Sequence, residues 1–399
     1  MSSNIQQSLV MTRANIFSLP RRVSISLSMV LSIALVVCVL TGFLAMAKGF
    51  ETALQSAGSP SVAVVLGGGT NQETASDVPA SVIRTMEATT GDIGVARDAS
   101  GALVSSREIV VTVDVKPDGS DAGRTVALRG MDPAGASMRD SVSISQGRLF
   151  APGTREIVVG DRLAQEFGFQ IGDTVRLGTL YWTVVGDFSS RGSAFESEIW
   201  ADLDSIRSAF DRQGQVQSLR LRLTNLGDLS ALQGQLATIT MTPLLAVSEA
   251  DLYAAQSGRT ASLIRAFGWP LALLMAIGAT AGALNTMMNS VSDRTVEIAT
   301  VRALGFSRLS AFIGTWVEAI LLASVGVICG LAVSWLAFNG WQASTVGANN
   351  ARMAFQLAVT ADVMLIAGLL GLAVGLVGGA LPAIAATRLP LATALRSRG

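Results

Sequence analysis

Four long apolar stretches divide the chain: "VSISLSMVLSIALVVCVLTGFLAMA" at 23–47, "AFGWPLALLMAIGATAGALNTMM" at 266–288, "AFIGTWVEAILLASVGVICGLAVSWLAF" at 311–338 and "VMLIAGLLGLAVGLVGGALPAIAA" at 363–386. Each runs for about 20 residues or more with few or no charges, the length a helix needs to cross a hydrocarbon core. The first follows Arg13, Arg21 and Arg22 and ends in Ala45-Met46-Ala47, which looks like a signal-peptidase site. Its apolar run exceeds the roughly 7–15 residues of a secretory core, so it reads as an uncleaved anchor.

Between the first two runs the pattern changes to that of a soluble α+β domain. "SVAVVL" (61–66), "REIVVTVDV" (107–115) and "RTVALRGM" (124–131) are rich in β-branched residues. "REIVVGDRLAQEFGFQIGDTVRL" predicts a strand, a helix closing at Gly168 and a turn into the next strand. "YWTVVGDF" alternates in strand fashion, "DLDSIRSAF" starts as a helix with an acidic cap, and "NLGDLSALQGQLATI" is an amphipathic helix. At about 190 residues this region can bury its own core.

Helical patterning continues past the apolar runs. "KGFETALQSAG" extends the first, and "SEADLYAAQSGRTASLIR" precedes the second, with Ser248 as N-cap. A helix from 249 to 290 would be about 60 Å long at 1.5 Å per residue, roughly twice a hydrocarbon core, so both helices are expected to form a stalk. Pro270 is a candidate kink.

Basic residues near the span ends set the orientation. Arg13, Arg21 and Arg22 precede the first span, Arg294, Arg302 and Arg308 lie between the second and third, and Arg388, Arg396 and Arg398 follow the fourth. The loop between spans three and four has only Arg352. By the positive-inside rule both termini and the 292–308 loop are cytoplasmic and the large domain is outside. The expected fold is membrane α-helical with four transmembrane helices, plus an extracytoplasmic α+β domain inserted between helices 1 and 2 on a helical stalk. The segments are a cytoplasmic N-terminal stretch (1–22), the first span and stalk (23–57), the α+β domain (58–248), a stalk and second span (249–290), a cytoplasmic segment (291–310), the third span (311–338), an external loop (339–361), the fourth span (362–387) and a cytoplasmic tail (388–399).

Composition narrows the chemistry. Of 399 residues only 15% are charged, and 29 basic side chains balance 29 acidic ones, which argues against a nucleic-acid binder. Histidine is absent, which removes the usual general base and the commonest metal ligand, so neither a catalytic nor a metal site is expected. Cys38 and Cys329 fall inside apolar runs and read as small hydrophobes. "LGGGT" at 66–70 lacks the Gly-Lys-Ser/Thr of a phosphate loop and reads as a flexible turn.

Small residues recur at spacing four: Gly278 and Gly282, Gly326 and Gly330, and Gly371, Gly375 and Gly379. Such faces let helix backbones approach closely in lipid, within one chain or between two copies. Glu318 lies inside the third span, about two turns from its cytoplasmic end, where it can reach the interface or pair with an arginine.

The segment "SDRTVEIATVRALGFSR" (292–308) is too polar for lipid. As a helix over about 291–304 it would set Val296, Ala299, Ala303 and Phe306 on one side and Arg294, Glu297 and Arg308 on another. Gly305 can end that helix and Ser307 can cap the next. On pattern alone it could equally be a solvated connector.

The segment resembles the cytoplasmic motif Arg-x-x-Glu-Ile-x-x-x-Arg-Ala-Leu-Gly-(Phe/Ala) of the MacB/FtsX-like ABC transporter permeases, matched by Arg294, Glu297, Ile298, Arg302, Ala303, Leu304, Gly305 and Phe306. "LPAIAATRLPLATALR" is similar to the family's closing motif through Pro382, Ala383, Ala386, Arg388, Pro390, Ala394, Leu395 and Arg396. The stretch from "GRLF" to "TVVGDF" looks like the family's periplasmic core domain. Ala299 and Thr300 depart from the Glu-Ile-Gly of many members, and no ATPase domain precedes the first span, so the separate-ATPase type is expected.

The resemblance implies an inner-membrane, multi-pass permease subunit with its large domain in the periplasm, paired with a second permease copy as homodimer or heterodimer. A separate cytoplasmic ABC ATPase would hold ATP and Mg, leaving this chain without a cofactor or enzymatic activity. Arg294, Glu297, Ile298, Arg302, Leu304, Gly305, Phe306 and Arg308 would form the ATPase-coupling element. The implied work is mechanotransmission: ATP-driven movement of the periplasmic domain that exports or extracts a lipid, lipoprotein, peptide or hydrophobic compound, with membrane lipids and a periplasmic adaptor as further partners. The alternative is an ATP-driven regulator of a cell-wall hydrolase or sensor kinase; the large external domain favours transport.

Overall fold

The computed structural model describes residues 2–18, 23–89, 91–116, 123–240, 243–347 and 351–388. Arg21, Arg22 and the tail positions Pro390, Ala394, Leu395, Arg396 and Arg398 lie outside the described residues. In chain order the elements begin with α1 (Ser2–Ser18), α2 (Val23–Gln55), β1 (Val62–Gly67), α3 (Ala80–Ala88), β2 (Ser105–Val115), β3 (Arg124–Met131), α4 (Ala134–Ser137) and β4 (Ser143–Gly147). There follow β5 (Glu156–Gly160), α5 (Asp161–Phe167), β6 (Thr174–Leu177), β7 (Leu180–Ser189), β8 (Glu198–Asp202), α6 (Leu203–Ala209), β9 (Ser218–Arg222), α7 (Leu229–Ile239) and β10 (Leu244–Ser248). The rest are α8 (Glu249–Asp293), α9 (Thr295–Ala303), α10 (Arg308–Phe338), β11 (Gln342–Val346), β12 (Arg352–Gln356) and α11 (Ala361–Thr387).

These elements form two compact units. A helical unit comprises Met1–Lys48, Ser262–Trp341 and Leu357–Gly399; a sheet unit comprises Gly49–Ala261 and Gln342–Gln356. Among the described residues four helices, α2, α8, α10 and α11, are long and apolar enough to cross a membrane.

In the helical unit, α2 contributes Met29, Ile33, Val37 and Leu40, α10 Ala319, Ala323 and Val327, and α11 Val363, Ala367 and Val374 to one apolar core. The side of α8 turned to that core is made of Ala272, Ala276, Ala279, Ala283 and Met287, a three-four spacing that keeps one face inward. Ser307 caps α10 through an oxygen that accepts from the Ser310 amide at 3.1 Å. The sequence gives no apolar run for α1, yet it is a helix that lies along α10. Met11 and Asn15 face Gly314, and the Gln7 side chain accepts from the Ser307 amide at 3.1 Å.

The sheet unit is built on a ten-stranded sheet of order β10-β1-β9-β2-β3-β8-β5-β7-β4, with β6 added on β7. It is mixed: β3 pairs parallel with β8 and β5 with β7, while the other neighbours are antiparallel. Strand alternation gives the sheet two unlike faces. Ile109, Val113, Val126, Leu128, Ile199 and Ala201 point to one apolar core beside α5 and α6. Ala63, Val65, Leu219 and Leu221 point to a second beside α3 and α7. The intervening positions Glu108, Arg129, Glu198, Ser218 and Arg220 point the opposite way and are also buried.

Local signals end these helices as their chemistry requires. Gly168 closes α5 at φ +75, a left-handed conformation that favours glycine. Asp202 caps α6, and the Ser248 hydroxyl accepts from the Asp251 amide at 3.0 Å at the start of α8. The stretch read as a flexible turn begins as the end of β1, and a Cβ at Gly67 or Gly68 would run into the backbone of Asp77 or Pro243.

The loop expected at 339–361 is a hairpin, β11 and β12, and it belongs to the sheet unit. Phe355 is fully buried, edge-on to Phe50 at 5.6 Å between ring centroids. The Ala354 carbonyl accepts from the Arg162 guanidinium at 3.1 Å, and its amide donates to the Ser197 hydroxyl at 3.0 Å. Arg352 reaches Glu166 at 3.4 Å.

Candidate functional site

The 292–308 segment is not the single helix its pattern suggested. α8 ends at Asp293, Arg294 leaves helical geometry at φ −100 and ψ 12, and α9 starts at Thr295. This break resets the helical phase. Val291 and Ile298 pack with Met11, Ala311 and Ala386, and of the expected row Val296, Ala299, Ala303 and Phe306 only Ala299 is fully buried. Ala303 is exposed, and Leu304 is 77% exposed.

Arg294, expected on the polar side, turns inward and is 4% exposed. Its guanidinium grips Glu318 with both forks, Nη1 to Oε2 at 2.9 Å and Nη2 to Oε1 at 3.2 Å. The carboxylate of α10 therefore has a cationic partner, as burial of a charge in a membrane-length helix demands. Among the other coupling candidates, Glu297 and Arg308 are exposed, Arg302 and Phe306 are half-buried, and Gly305 turns the chain at φ +99. Arg294 and Ile298 thus hold the segment down, while Glu297, Leu304 and Arg308 are presented outward.

Five of the seven packing glycines are consumed within the chain. A Cβ at Gly326 would lie 2.9 Å from the Val30 carbonyl, and one at Gly330 2.7 Å from that of Ala34, so α10 meets α2 backbone to backbone. Gly371 meets Val37 and Val327, Gly375 meets Ala323, and Gly379 meets Ala319. Gly282 approaches only Ser32 at 3.9 Å, and Gly278 meets nothing within 4 Å, because α8 packs through its alanines. Gly375→Ala should therefore lower stability in detergent by about 1–3 kcal/mol through overpacking, whereas Gly278→Ala should change it by less than about 0.5 kcal/mol. Thermal unfolding of the two variants side by side checks this contrast.

The sheet unit holds a second constellation, which the sequence did not announce. Glu73, on a short turn after β1, joins Glu108, Glu198, Glu249, Arg129, Arg139 and Arg220, each buried. Arg129 donates to Glu198 at 2.7 and 2.8 Å, to Glu73 at 3.0 and 3.1 Å, and to Glu108 at 3.0 Å. Arg220 donates to Glu249 at 2.9 Å, Glu73 at 2.8 Å, Glu108 at 2.5 Å and the Tyr253 hydroxyl at 3.1 Å. Arg139 donates to Glu108 at 2.8 Å and lies over the Phe195 ring, 4.9 Å from its centroid. The neighbouring cavity of about 50 Å³, lined by Phe195, Tyr253 and Met353 among others, has room for water and not for a cargo molecule. With every charge met by a partner, the arrangement fixes geometry and offers no open ligand position.

Comparison with known proteins accounts for both units. The MacB-like periplasmic core domain matches residues 26–239, and the FtsX-like permease C-terminal domain matches residues 255–391. The macrolide export ATP-binding/permease protein MacB of Photorhabdus laumondii is 26% identical over 206 residues, covering 47% of this chain and 32% of that protein. Its namesake from Acinetobacter baylyi is 24% identical over 279 residues, covering 66% of this chain and 40% of that protein. The chain thus spans well under half the length of these curated relatives. Among solved structures, the periplasmic region of MacB from Actinobacillus actinomycetemcomitans aligns at a TM-score of 0.37 and 10% identity, over 49% of this chain and 92% of that one. The extracellular domain of the noncanonic ABC-type transporter YknZ from Gram-positive bacteria aligns at 0.34 and 14% identity, over 47% of this chain and 100% of that one. With one family domain covering more than half of its residues and the second covering most of the remainder, the chain belongs to the MacB/FtsX-like family of ABC transporter permeases.

Proposed function

We propose that the chain is the permease subunit of an ABC transporter that couples ATP hydrolysis in a separate cytoplasmic ATPase to movement of its sheet unit in the periplasm. The observation that carries this reading is the match of residues 255–391 to the FtsX-like permease domain, which contains a helical turn displaying Glu297, Leu304 and Arg308 between two membrane-length helices. A segment of that kind suits an ATPase groove: Leu304 supplies an apolar knob, and Glu297, Arg302 and Arg308 supply charges of both signs around it. Arg294 and Ile298 act from behind, by holding the segment in place. The implied assembly has two permease copies and two ATPases, with both termini of each permease cytoplasmic. Its cargo class is a lipid, lipoprotein, peptide or hydrophobic compound moved from the outer leaflet or the periplasm.

Reversing two charges of the segment, the exposed Glu297 and the half-buried Arg302, tests this. In the chain purified from its native membrane, Glu297→Lys with Arg302→Glu should weaken association of the co-purifying ABC ATPase by about tenfold or more, equivalent to about 1.4 kcal/mol or more. Glu297→Lys alone, at the exposed position, should weaken association in the same direction with thermal stability unchanged. An ATPase that binds the doubly reversed chain as tightly as the native one would remove the coupling role. A hydrolase or sensor kinase in the complex, in place of an exported cargo, would turn the reading toward regulation.

A further inference from the structure

Glu249 is the first residue of α8 and is fully buried, and both of its carboxylate oxygens are in use. Oε1 accepts from Arg220 Nε at 2.9 Å, and Oε2 accepts from the Ser59 amide at 3.2 Å. Ser59 lies four residues beyond the end of α2, and Arg220 lies in the interior strand β9, between β1 and β2. One carboxylate therefore ties together the exit of α2, the entry of α8 and an interior strand of the sheet.

The join is tight. A Cβ at Gly58 would lie 2.6 Å from Ala250 Cα and 2.8 Å from the Glu249 carbonyl, so the chain leaving α2 rests on the first turn of α8. One turn further along α8, the Tyr253 hydroxyl accepts from Nη2 of the same Arg220 at 3.1 Å. Glu249 and Tyr253 are at i and i+4, stacked on one helix face. Two bonds from one guanidinium to two points a turn apart fix both the rotation and the axial position of the helix.

An apolar contact would let the helix slide at little cost, whereas withdrawing Glu249 would strand a buried charge away from water. Leu252 packs against Val64 and Leu66 of β1. Between its seat at Glu249 and the 292–308 segment, α8 is one unbroken helix of 45 residues.

We propose that Arg220 and Glu249, with Tyr253 and Ser59, form the seat through which α8 drives the sheet, so that Glu249 and Arg220 are positioning residues for ATP-driven work. This rests on the permease reading above, and it adds the residues at which helix motion becomes sheet motion.

The test uses the full chain with its co-purified ABC ATPase in lipid nanodiscs, with Cys38 and Cys329 replaced by alanine. Spin labels are attached at Ser208→Cys on α6 and Ala255→Cys on α8, both exposed positions of the sheet unit. The otherwise native chain should give one label distance with and without ATP, together with an ATP-dependent change in hydrogen exchange of the β2 and β9 peptides. Glu249→Gln should lose the single distance and the ATP-dependent exchange change while ATP hydrolysis continues. Tyr253→Phe removes only the hydroxyl and should give an intermediate loss, which keeps the test open if Glu249→Gln fails to fold. Glu249→Gln or Tyr253→Phe chains that keep both the single distance and the exchange change would overturn the seat. A native chain with a single distance but no exchange response to ATP would instead overturn the permease mechanism, and with it the transmitting role.

Discussion

Replacing Arg129 by methionine should lower the stability of the sheet unit by about 3–5 kcal/mol, the range expected when one partner of a buried ion pair is removed. Arg129 is 1% exposed and bonds to three carboxylates, so the change acts on more than a single pair. Glu73 and Glu108 would still be held by Arg220, and Glu108 by Arg139 as well. Glu198 would keep only the Trp200 indole, which donates at 2.9 Å, among the polar partners seen for it. The loss should therefore concentrate at β3 and β8, read as faster hydrogen exchange in peptides covering Arg124–Met131 and Glu198–Asp202. Pairing the change with Glu198→Met should recover part of the loss, because an apolar pair of similar volume avoids the stranded charge. A variant as stable as the native chain would show that relaxation or water entry satisfies the carboxylates without Arg129.

The same cluster sets an acid limit. Burial by itself would raise the Glu108 carboxyl, but the attraction of Arg139, Arg220 and Arg129 outweighs it and brings the group down from an ordinary 4.5 to about 2. Glu73 is likewise held well below the carboxylate range, its burial outweighed by Arg129 and Arg220. In the unfolded chain these groups bind protons below about pH 4.5, and in the folded unit Glu108 does so only near pH 2. The stabilisation they provide is therefore complete above pH 4.5 and is lost as pH falls from there toward 2. With Arg129→Met one attraction is gone, so acid unfolding should begin at higher pH.

Hydropathy made the four long helices legible because lipid demands about 20 apolar residues in a row, a signal few soluble elements imitate. Local chemistry made the ends of several elements legible too: the caps at Asp202, Ser248 and Ser307 and the left-handed glycines Gly168 and Gly305 act within one turn of the chain. The charge cluster was not legible, since an arginine such as Arg129 inside a β-rich run reads equally well as a solvated face. Its partners lie as far away as Glu73 and Glu198 in sequence, and only the tertiary fold brings them together. A weak signal existed in Glu108 and Arg129, each a charge set beside apolar residues within a β-rich run. The hairpin of β11 and β12 was missed because "QASTV" and "RMAFQ" are short and weakly patterned. α1 was missed because its inward side is Ser8, Met11 and Asn15, residues that need a glycine-lined partner such as α10 to pack at all.

Exchanging the charges of Arg294 and Glu318 separates bracing from direct recognition in the 292–308 segment. Arg294→Glu alone would face two carboxylates toward each other at a site where both native side chains are 4% exposed. Glu318→Arg alone would do the same with two cations. Each should cost about 3–5 kcal/mol, and more at any depth where water cannot reach. The double exchange restores opposite signs and should recover at least half of that loss, although a glutamate at 294 is shorter than the arginine it replaces and cannot form the same fork. Thermal unfolding in mild detergent measures the stability, and ATPase co-purification measures the coupling. If Arg294 acts as a brace, the two readouts should fall together in the single variants and return together in the exchange. Recovery of stability without recovery of ATPase association would mean that the guanidinium at 294 is itself read by the partner. Under the brace reading, Glu297 and Arg302 retain the recognition role, and Arg294 governs where α9 stands relative to α10.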